Sequence, residues 1–430
     1  MNNRVINNTK WIILCKIFQS CLGLLVSMFS ARYLGPSNYG LINYAASLVA
    51  FVVPIMYLGI NNVLVSEMIQ NKENEGQIIG TSVLISSISS IFCIIGVTAF
   101  AYIANYGKTI VVTVCFLYSL LLVFQSIEIV QYWFQAKLLS KYTSLVMLSA
   151  YVIVSIYKII LLILGKSVYW FAISNAFDYM LISVGLYFFY KKLGGQKLRF
   201  SFRIAKGLVS KGRYYIISSL MVTIFAQTDK IMLGSMLGQD YVGYYSAATV
   251  CAGMTSFVFT AIIDSMRPVI FESKHLENGL FENNMIKLYS VIIYISLLQS
   301  LIVTLFAKYI ILILYGTEYM QAVSALRLVV WYTTFSYLGS VRNIWILARN
   351  KQNLLWIINL SGACLNVLLN YILIPIWGIC GASLASLITQ FFTNFIIGYI
   401  MIPISENNKL MCKALNLRYI ICFVRNVFNK

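Results

Sequence analysis

The stretch Ala31–Ala46, ARYLGPSNYGLINYAA, interrupts one long apolar run and begins another. Its pattern returns in Ser235–Thr249, SMLGQDYVGYYSAAT, where a Leu-Gly pair, a second glycine and an alanine recur at the same spacing. Aligning Gly35 with Gly238 sets the second copy 203 residues after the first. A glycine turn that recurs between apolar runs predicts a duplicated unit, although glycine pairs are also common at helix junctions.

Composition indicates the class of protein. The chain has 430 residues, of which 60% are hydrophobic and 10% charged, and its mean hydropathy is +0.82. Soluble domains carry about 25% charged residues. The apolar runs mostly exceed the roughly 18 to 20 residues that a spanning helix needs, and the alternation typical of a membrane barrel is absent. The sequence therefore predicts an integral membrane protein built from spanning helices.

The apolar runs predict twelve transmembrane helices in two lobes of six. The first run, Trp11–Ser30, is continuous with the first repeat turn, so we predict a retained helix and not a cleaved signal peptide. Because each lobe holds an even number of spans, the two repeats enter the membrane in the same direction and are parallel. The predicted boundaries are an N-terminal lobe at 1–190, a basic linker at 191–213, a C-terminal lobe at 214–402 and a basic tail at 403–430.

Charge in the loops predicts the orientation. Twenty-two Lys or Arg residues lie in the termini and alternate loops on one side, four lie on the other side, and six lie within spans. The crowded side is cytoplasmic by the positive-inside rule, so both termini are predicted to be cytoplasmic. The net charge of +19 thus follows from topology and from anionic lipid headgroups. It does not indicate nucleic-acid binding.

Polar side chains recur on one face of the first, second, seventh and eighth predicted spans, which flank the repeat turns. Charges at membrane depth are costly and usually face a bundle interior or an aqueous cavity. We therefore predict a polar cavity between the two lobes. Small polar residues also mark ordinary helix packing, so that alternative stays open. The predicted lining residues are Lys16, Asn43, Asn61, Gln227, Lys230 and Arg267.

Other charges within the spans allow different interpretations. Asp178 lies near the middle of the sixth span, where it either pairs with Lys158 of the fifth span or binds a coupling ion. Glu128, Asp264 and Arg342 lie near predicted cytoplasmic ends, where snorkelling to the headgroups would explain a charge. Asp264 is also spaced to form an ion pair with the arginine three residues later.

Metal and catalytic patterns are lacking in the sequence. The nine cysteines lie mostly inside apolar runs and form no C-x-x-C pair, as expected of small buried hydrophobic residues. The single histidine, His275, lies in a charged loop. We therefore predict no metal, no cofactor and no histidine-based catalysis.

Four segments together resemble a known family. They are ARYLGPSNYGLINYA, TDKIMLG at Thr228–Gly234, YGTEYMQAVSALRLVVW at Tyr315–Trp331 and WGICGASLASLITQ at Trp377–Gln390. In this order and at these loop positions they resemble the polysaccharide-biosynthesis transporters, and most of all the bacterial O-antigen flippases. That family is similar to multidrug and toxin extruders, which implies two lobes of six helices around a cavity that opens alternately to either side.

The resemblance also implies a function. The substrate would be an oligosaccharide on undecaprenyl diphosphate, moved from the cytoplasmic to the periplasmic leaflet of a bacterial inner membrane among membrane lipids. Coupling to H⁺ or Na⁺, and a polymerase and a chain-length regulator as partners, are implied in the same way. The chain lacks the two extra helices of the related lipid II flippases, so their role fits it less well.

A cationic cavity is expected in that family, and Lys16, Lys230 and Arg267 match this expectation. We predict that they contact the diphosphate, with Asp229 and Asp264 holding the latter two side chains when the cavity is empty. A drug extruder of the same fold would need an apolar, acid-lined cavity. A polymerase or glycosyltransferase would need a long outer loop with clustered Asp, Arg or His, which the sequence does not offer.

Overall fold

A computed structural model describes residues 3–274 and 279–416. His275 and the tail after residue 416 lie outside the described residues, as does the side chain of Lys16, whose backbone is helical. The described residues form helices and turns without a β-strand, which confirms the predicted all-helical fold.

The α-helices are α1 Asn3–Tyr57, α2 Leu64–Gln70, α3 Glu75–Ala104, α4 Thr109–Ser119, α5 Leu121–Ile127, α6 Gln131–Ala136, α7 Ser140–Ile163, α8 Val168–Lys192, α9 Phe202–Met236, α10 Gln239–Gly253, α11 Ser256–Ser273, α12 Leu280–Tyr315, α13 Ala322–Ala348, α14 Leu355–Phe391, α15 Ile397–Ile400 and α16 Ser405–Lys413.

Within the described residues, eight helices are long and apolar enough to cross a membrane, or nine when the bent pair α10 and α11 counts as one span. Two of the eight, Phe18–Tyr57 and Gln352–Ile400, are interrupted by glycines with non-helical backbone, Gly35 and Gly378. A multi-pass membrane protein is therefore confirmed. The count of twelve spans stays a prediction.

The chain separates into two compact units, residues 1–243 and 244–430. The first unit includes α9, which the sequence analysis assigned to the C-terminal lobe. Only residues 193–201 of the predicted linker are irregular, because α8 extends to Lys192 and α9 begins at Phe202. The lobe boundaries given by the sequence stay a prediction.

The first repeat turn is a sharp break inside α1. Gly35 has φ 70° and ψ 173°, a conformation that favours glycine because it has no Cβ. Pro36 follows, and its missing N–H costs nothing at the first position of a new helix. The break therefore divides α1 into two helices, which the sequence predicts to be separate spans.

The two repeat turns pack against each other within the first unit. A Cβ added at Gly40 would overlap the backbone of Gln239, and a Cβ added at Gly243 would overlap the backbone of Pro36. With the offset found in the sequence, Gly40 corresponds to Gly243 and Pro36 to Gln239. Equivalent residues of the two copies thus contact each other reciprocally, and we call these four residues the repeat-turn contact.

A second close approach joins the turn after α1 to the first part of α9. A Cβ at Gly59 would overlap the backbone of Gly212, and a Cβ at Gly212 would overlap the carbonyl of Leu58. Beside it, Lys211 forms an ion pair with Glu67. We call these five residues the linker contact. Unlike the repeat-turn contact, it joins non-equivalent parts of the chain.

Helix α9 is buried at its two ends and not in its middle. Its buried residues lie in its first 11 and last 9 positions, while residues 213–227 are all half-buried or exposed. Near its C-terminal end, Gly234 packs on the ring of Tyr44. Helix α9 is therefore held against α1 at both ends, and its middle is left available to line a cavity.

The second unit packs around α12 and α13. Its buried core also includes residues of α11, α14 and α16. Helix α16 opens the predicted basic tail and is packed on the unit, since Tyr289 donates a 2.8 Å hydrogen bond to Asn407. The predicted eighth span is bent by 44° at the break between α10 and α11, so its long polar stripe does not follow one straight helix.

Candidate functional site

A cavity of about 520 Å³ lies inside the first unit. Ser20 and Gly23 from the predicted polar face of the first span form one wall. Glu128 and Asp178 contribute carboxylates, and Tyr151 adds an aromatic hydroxyl. We call it the carboxylate cavity, because two acidic side chains in one polar space can hold a proton or bind a cation.

Glu128 lies where the predicted fourth span is irregular. A short 3₁₀ turn, Glu128–Val130, separates α5 from α6, and the side chain of Glu128 is only 8% exposed. Its Oε1 accepts a 3.2 Å hydrogen bond from Gln131. The snorkelling interpretation of Glu128 was wrong, because a side chain buried inside the protein does not reach the headgroups.

Asp178 is half-buried and lines the carboxylate cavity. Lys158 Nζ lies 3.5 Å from Oδ1 of Asn175, one helical turn before Asp178, and forms no ion pair with Asp178 within 4 Å. Oδ1 of Asp178 is buried without a hydrogen-bond partner among the described residues. The contact expected between Lys158 and Asp178 is therefore made by Asn175, and a role of Asp178 in ion coupling stays a prediction.

The predicted lining residues of α9 lie close together. Asp229 is buried, and its neighbour Lys230 is half-buried, as is Gln227. They lie just before the end of α9 that packs on Tyr44. The structure thus brings an acid, a cation and an amide together at the end of the accessible middle of α9.

The two predicted asparagines lie at opposite ends of the second half of α1. Asn43 is half-buried and donates a 2.9 Å hydrogen bond to the carbonyl of Tyr39. Asn61 lies beyond the helix, in a 3₁₀ turn, where it accepts a 3.1 Å hydrogen bond from Asn62. The structure does not bring these two residues together.

In the second unit, Arg267 forms an ion pair with Asp264 at 3.0 Å. This is the self-contained i, i+3 pair that the sequence left open. Both side chains are about half exposed, so the pair adds little to stability. It keeps the guanidinium extended and accessible.

Arg342 is a buried cation that the sequence analysis misjudged. Its side chain is 4% exposed and donates to the carbonyl of Thr393, which lies in a π-helical turn at Phe392–Ile396. Snorkelling was therefore the wrong interpretation. Such a turn changes the backbone hydrogen bonding of a helix, and the arginine binds one of its carbonyls.

A buried polar network adjoins the repeat-turn contact and was not predicted. Gln239 donates a 3.0 Å hydrogen bond to Oδ1 of Asn105, and Asn105 donates a 3.2 Å bond to the hydroxyl of Tyr44. All three side chains are buried. Asn105 is an isolated polar residue just after α3, so no pattern in the sequence distinguishes it.

The sequence of this chain matches the profile of a known protein family. The profile of a family described as "Polysaccharide biosynthesis protein" matches residues 5–274, a range that contains both repeat turns and the carboxylate cavity. The match extends over more than half of the chain. The chain therefore belongs to this family, and the resemblance found in its sequence motifs is confirmed.

Two relatives are similar over different lengths. A capsular polysaccharide biosynthesis protein, CapF of Staphylococcus aureus, is 23% identical over 404 residues, which cover 90% of this chain and 96% of that protein. An uncharacterised membrane protein of Methanocaldococcus jannaschii is 26% identical over 279 residues, covering 61% of this chain and 54% of that protein. The chain thus spans about half the length of the archaeal relative.

Solved structures show the same fold. The lipid II flippase MurJ in an inward closed conformation superposes with a TM-score of 0.71 at 13% identity, covering 96% of this chain and 92% of that one. An inward-facing multidrug resistance MATE family transporter of the MOP superfamily gives 0.64 at 14% identity, covering 93% and 96%. The MATE-like fold is thereby confirmed. Both of these solved proteins are described by their transport activity, one as a flippase and one as a transporter.

Proposed function

We propose that this protein is a flippase that moves an oligosaccharide on undecaprenyl diphosphate from the cytoplasmic to the outer leaflet. The family match across both repeat turns carries the proposal. The name of the staphylococcal relative favours a repeat unit of a surface polysaccharide as the cargo. An O-antigen unit, loaded for a polymerase and a chain-length regulator, is the form of this proposal that the sequence resemblance implies.

The proposal is tested by deleting the gene in its native host. We expect loss of the surface polysaccharide and accumulation of one complete lipid-linked repeat unit in the inner leaflet. Accumulation of an incomplete unit would point to a glycosyltransferase and reject the proposal. Normal polysaccharide with no accumulated unit would also reject it.

The diphosphate requires compensating charge, because a bare charge in hydrocarbon is prohibitive while the polyprenyl chain is soluble there. Lys16, Lys230 and Arg267 are the proposed cationic path, and weak binding at spaced cations allows release. Lys230→Gln should stop polysaccharide export at a normal protein level, and Lys230→Arg should be milder because it keeps the charge. Normal export from the triple Gln variant would reject the path.

Orientation belongs to the same proposal. The basic side faces the cytoplasm of a bacterial cell, which places both termini and the linker contact there and the repeat-turn contact outside. Reporter fusions within 191–213 should indicate the cytoplasm, and fusions at Asn38 and Gln239 the other side. If Asn38 and Gln239 report opposite sides, the parallel repeat is rejected.

Coupling to H⁺ or Na⁺ is proposed at the carboxylate cavity. The unpartnered oxygen of Asp178 and the nearby Glu128 support this, since both carboxylates line one cavity. Asp178→Asn should leave substrate binding intact, slow transport and change its dependence on pH or sodium. An unchanged ion dependence with lowered protein stability would assign Asp178 a structural role instead.

The same cavity favours one second candidate, a cation-coupled extruder of organic cations. Carboxylates beside tyrosine rings suit such substrates. If this candidate is correct, deletion should raise sensitivity to lipophilic cations and leave the lipid-linked intermediates unchanged. The opposite pattern supports the flippase.

A further inference from the structure

A second cavity, of about 580 Å³, lies where α2, α3 and the start of α9 meet in the first unit. Its volume falls in the range of roughly 300–1,000 Å³ found for small-ligand sites. Its lining is rich in groups that bind anions and hydroxyls. The polar groups that matter are Glu67, Asn71, Asn74, Gln77, Arg203 and Lys211.

The walls of this cavity are fixed by the segment 193–201. Gln196 accepts a 2.9 Å hydrogen bond from the backbone N–H of Gly76 and donates a 3.1 Å bond to the carbonyl of Lys72. The backbone N–H of Ser201 donates a 3.0 Å bond to the hydroxyl of Thr81. The predicted basic linker is therefore docked on α3, and the cavity exists before any ligand arrives.

The two cationic side chains of the cavity differ in whether an acid is paired with them. Lys211 is paired with Glu67, so its charge is already compensated. Arg203 is exposed and makes no ion pair or side-chain hydrogen bond with the described residues. A guanidinium bonds two oxygens of one phosphate in a planar fork, which makes Arg203 the free phosphate ligand of the cavity.

The surroundings favour a lipid over a soluble phosphate. Phe202, beside Arg203, is 77% exposed, and Tyr214, where the apolar part of α9 begins, is 70% exposed. Exposed aromatic side chains at the start of a span are typical of the headgroup level of a membrane. A ligand held by Arg203 at this level would keep its hydrocarbon chain in the bilayer.

We infer that this cavity binds the phosphate headgroup of a lipid in the leaflet that faces the linker. Its ligand rests on the proposed function: the diphosphate of the polyprenyl carrier would bind here before the oligosaccharide enters the transport path. The amides of Asn71, Asn74 and Gln77 are placed to bond phosphate oxygens or the first sugar. An ordinary anionic phospholipid has the same headgroup chemistry, and the experiment separates the two sources.

The test uses the full chain in nanodiscs of zwitterionic lipid. Binding of undecaprenyl diphosphate, of phosphatidylglycerol and of inorganic diphosphate is measured for the wild type and three variants. Arg203→Gln should weaken binding of undecaprenyl diphosphate about tenfold, since it removes a pair of charge-assisted hydrogen bonds. Lys206→Gln, which removes a charge from the same helix outside the cavity lining, should change it less than twofold.

Glu67→Gln should strengthen the binding of undecaprenyl diphosphate, whereas Arg203→Gln should weaken it. Among the described residues that line the cavity, Glu67 is the only acid, and its loss frees Lys211, so binding should tighten about threefold or more. Equal losses from Arg203→Gln and Lys206→Gln, without a gain from Glu67→Gln, would show attraction to the basic surface as a whole and overturn the site. Equal binding of phosphatidylglycerol and undecaprenyl diphosphate would keep the site but overturn the carrier as its ligand.

These outcomes are separable from those of the gene deletion. If deletion leaves the polysaccharide unchanged but Arg203→Gln still weakens lipid binding, the proposed function fails and a phospholipid site stands. If deletion stops the polysaccharide and no variant alters binding, the flippase stands and this site is overturned.

Discussion

The repeat-turn contact packs α1 against α10, whereas the linker contact packs the turn after α1 against α9, and the two contacts are built by different means. The repeat-turn contact consists of two glycines, each against the backbone of the other copy, with no charge and reciprocal symmetry. The linker contact adds an ion pair to its glycine approach and adjoins a segment tied to α3 by hydrogen bonds. One contact is uncharged and symmetric, and the other is charged and adjoins a segment docked on α3.

This difference suggests that the two contacts behave differently during transport. Opening the repeat-turn contact would break no ion pair and would put at risk only the neutral hydrogen bond from Gln239 to Asn105, whereas breaking the linker contact would separate an ion pair and disturb docked backbone. We therefore expect the repeat-turn contact to open during transport and the linker contact to stay closed.

The largest effect is expected at the repeat-turn contact. Gly40→Ala and Gly243→Ala each place a methyl group against backbone that cannot move aside, which should cost the closed contact about 1–3 kcal/mol. We expect surface polysaccharide to fall about tenfold or more in either variant. The amount exported per molecule of protein in the membrane is the measurement.

The control for both is Gly96→Ala, because nothing lies within 4 Å of a Cβ at that helical position. It should export normally. Since both glycines serve one contact, the double variant should be little worse than either single variant. Normal export from the double variant would show that this contact is not part of the transport cycle.

The sequence could predict the duplicated turn because its information is local: two glycines at a fixed spacing between apolar runs. It did not predict that the two turns contact each other. It could not predict the roles of Glu128 and Arg342, because the same position near a helix end suits either snorkelling or burial, and only the neighbouring helices decide. Asn105 escaped notice for a similar reason. Its two side-chain partners in the network, Tyr44 and Gln239, are 61 and 134 residues away in the chain.

The linker contact should respond differently to the same kind of substitution. Gly212→Ala places a methyl group against the backbone of Leu58 and Gly59, so the midpoint of thermal unfolding in detergent should fall by about 3–8 °C. Export per folded molecule should stay within about twofold. Gly207→Ala on the same helix meets nothing within 4 Å and is the stability control. Lost export at unchanged stability would show that the linker contact also moves.

A smaller effect is expected in the buried network beside the repeat-turn contact. Asn105→Leu removes the acceptor of Gln239 and a partner of Tyr44, which should cost about 1–3 kcal/mol of unfolding free energy. Tyr44→Phe removes one hydroxyl and should cost about 0.5–1.5 kcal/mol. Unfolding of both variants by denaturant is the measurement. If Tyr44→Phe were the more damaging, the Tyr44 hydroxyl, and not Asn105, would be the main contributor of the network to stability.

The smallest effect on stability is expected from Glu67→Gln in the linker contact. Glu67 is largely shielded, but the Lys211 side chain is 56% exposed, so the pair lies partly in water and is screened by salt. Its loss should cost at most about 1 kcal/mol at low ionic strength, and less in high salt. Lys137→Gln is the contrast, because its partner Glu75 has a side chain only 6% exposed and would lose its 2.6 Å ion pair. If Glu67→Gln destabilised the protein more than Lys137→Gln, the ion pair and not the glycine approach would be what keeps the linker contact closed.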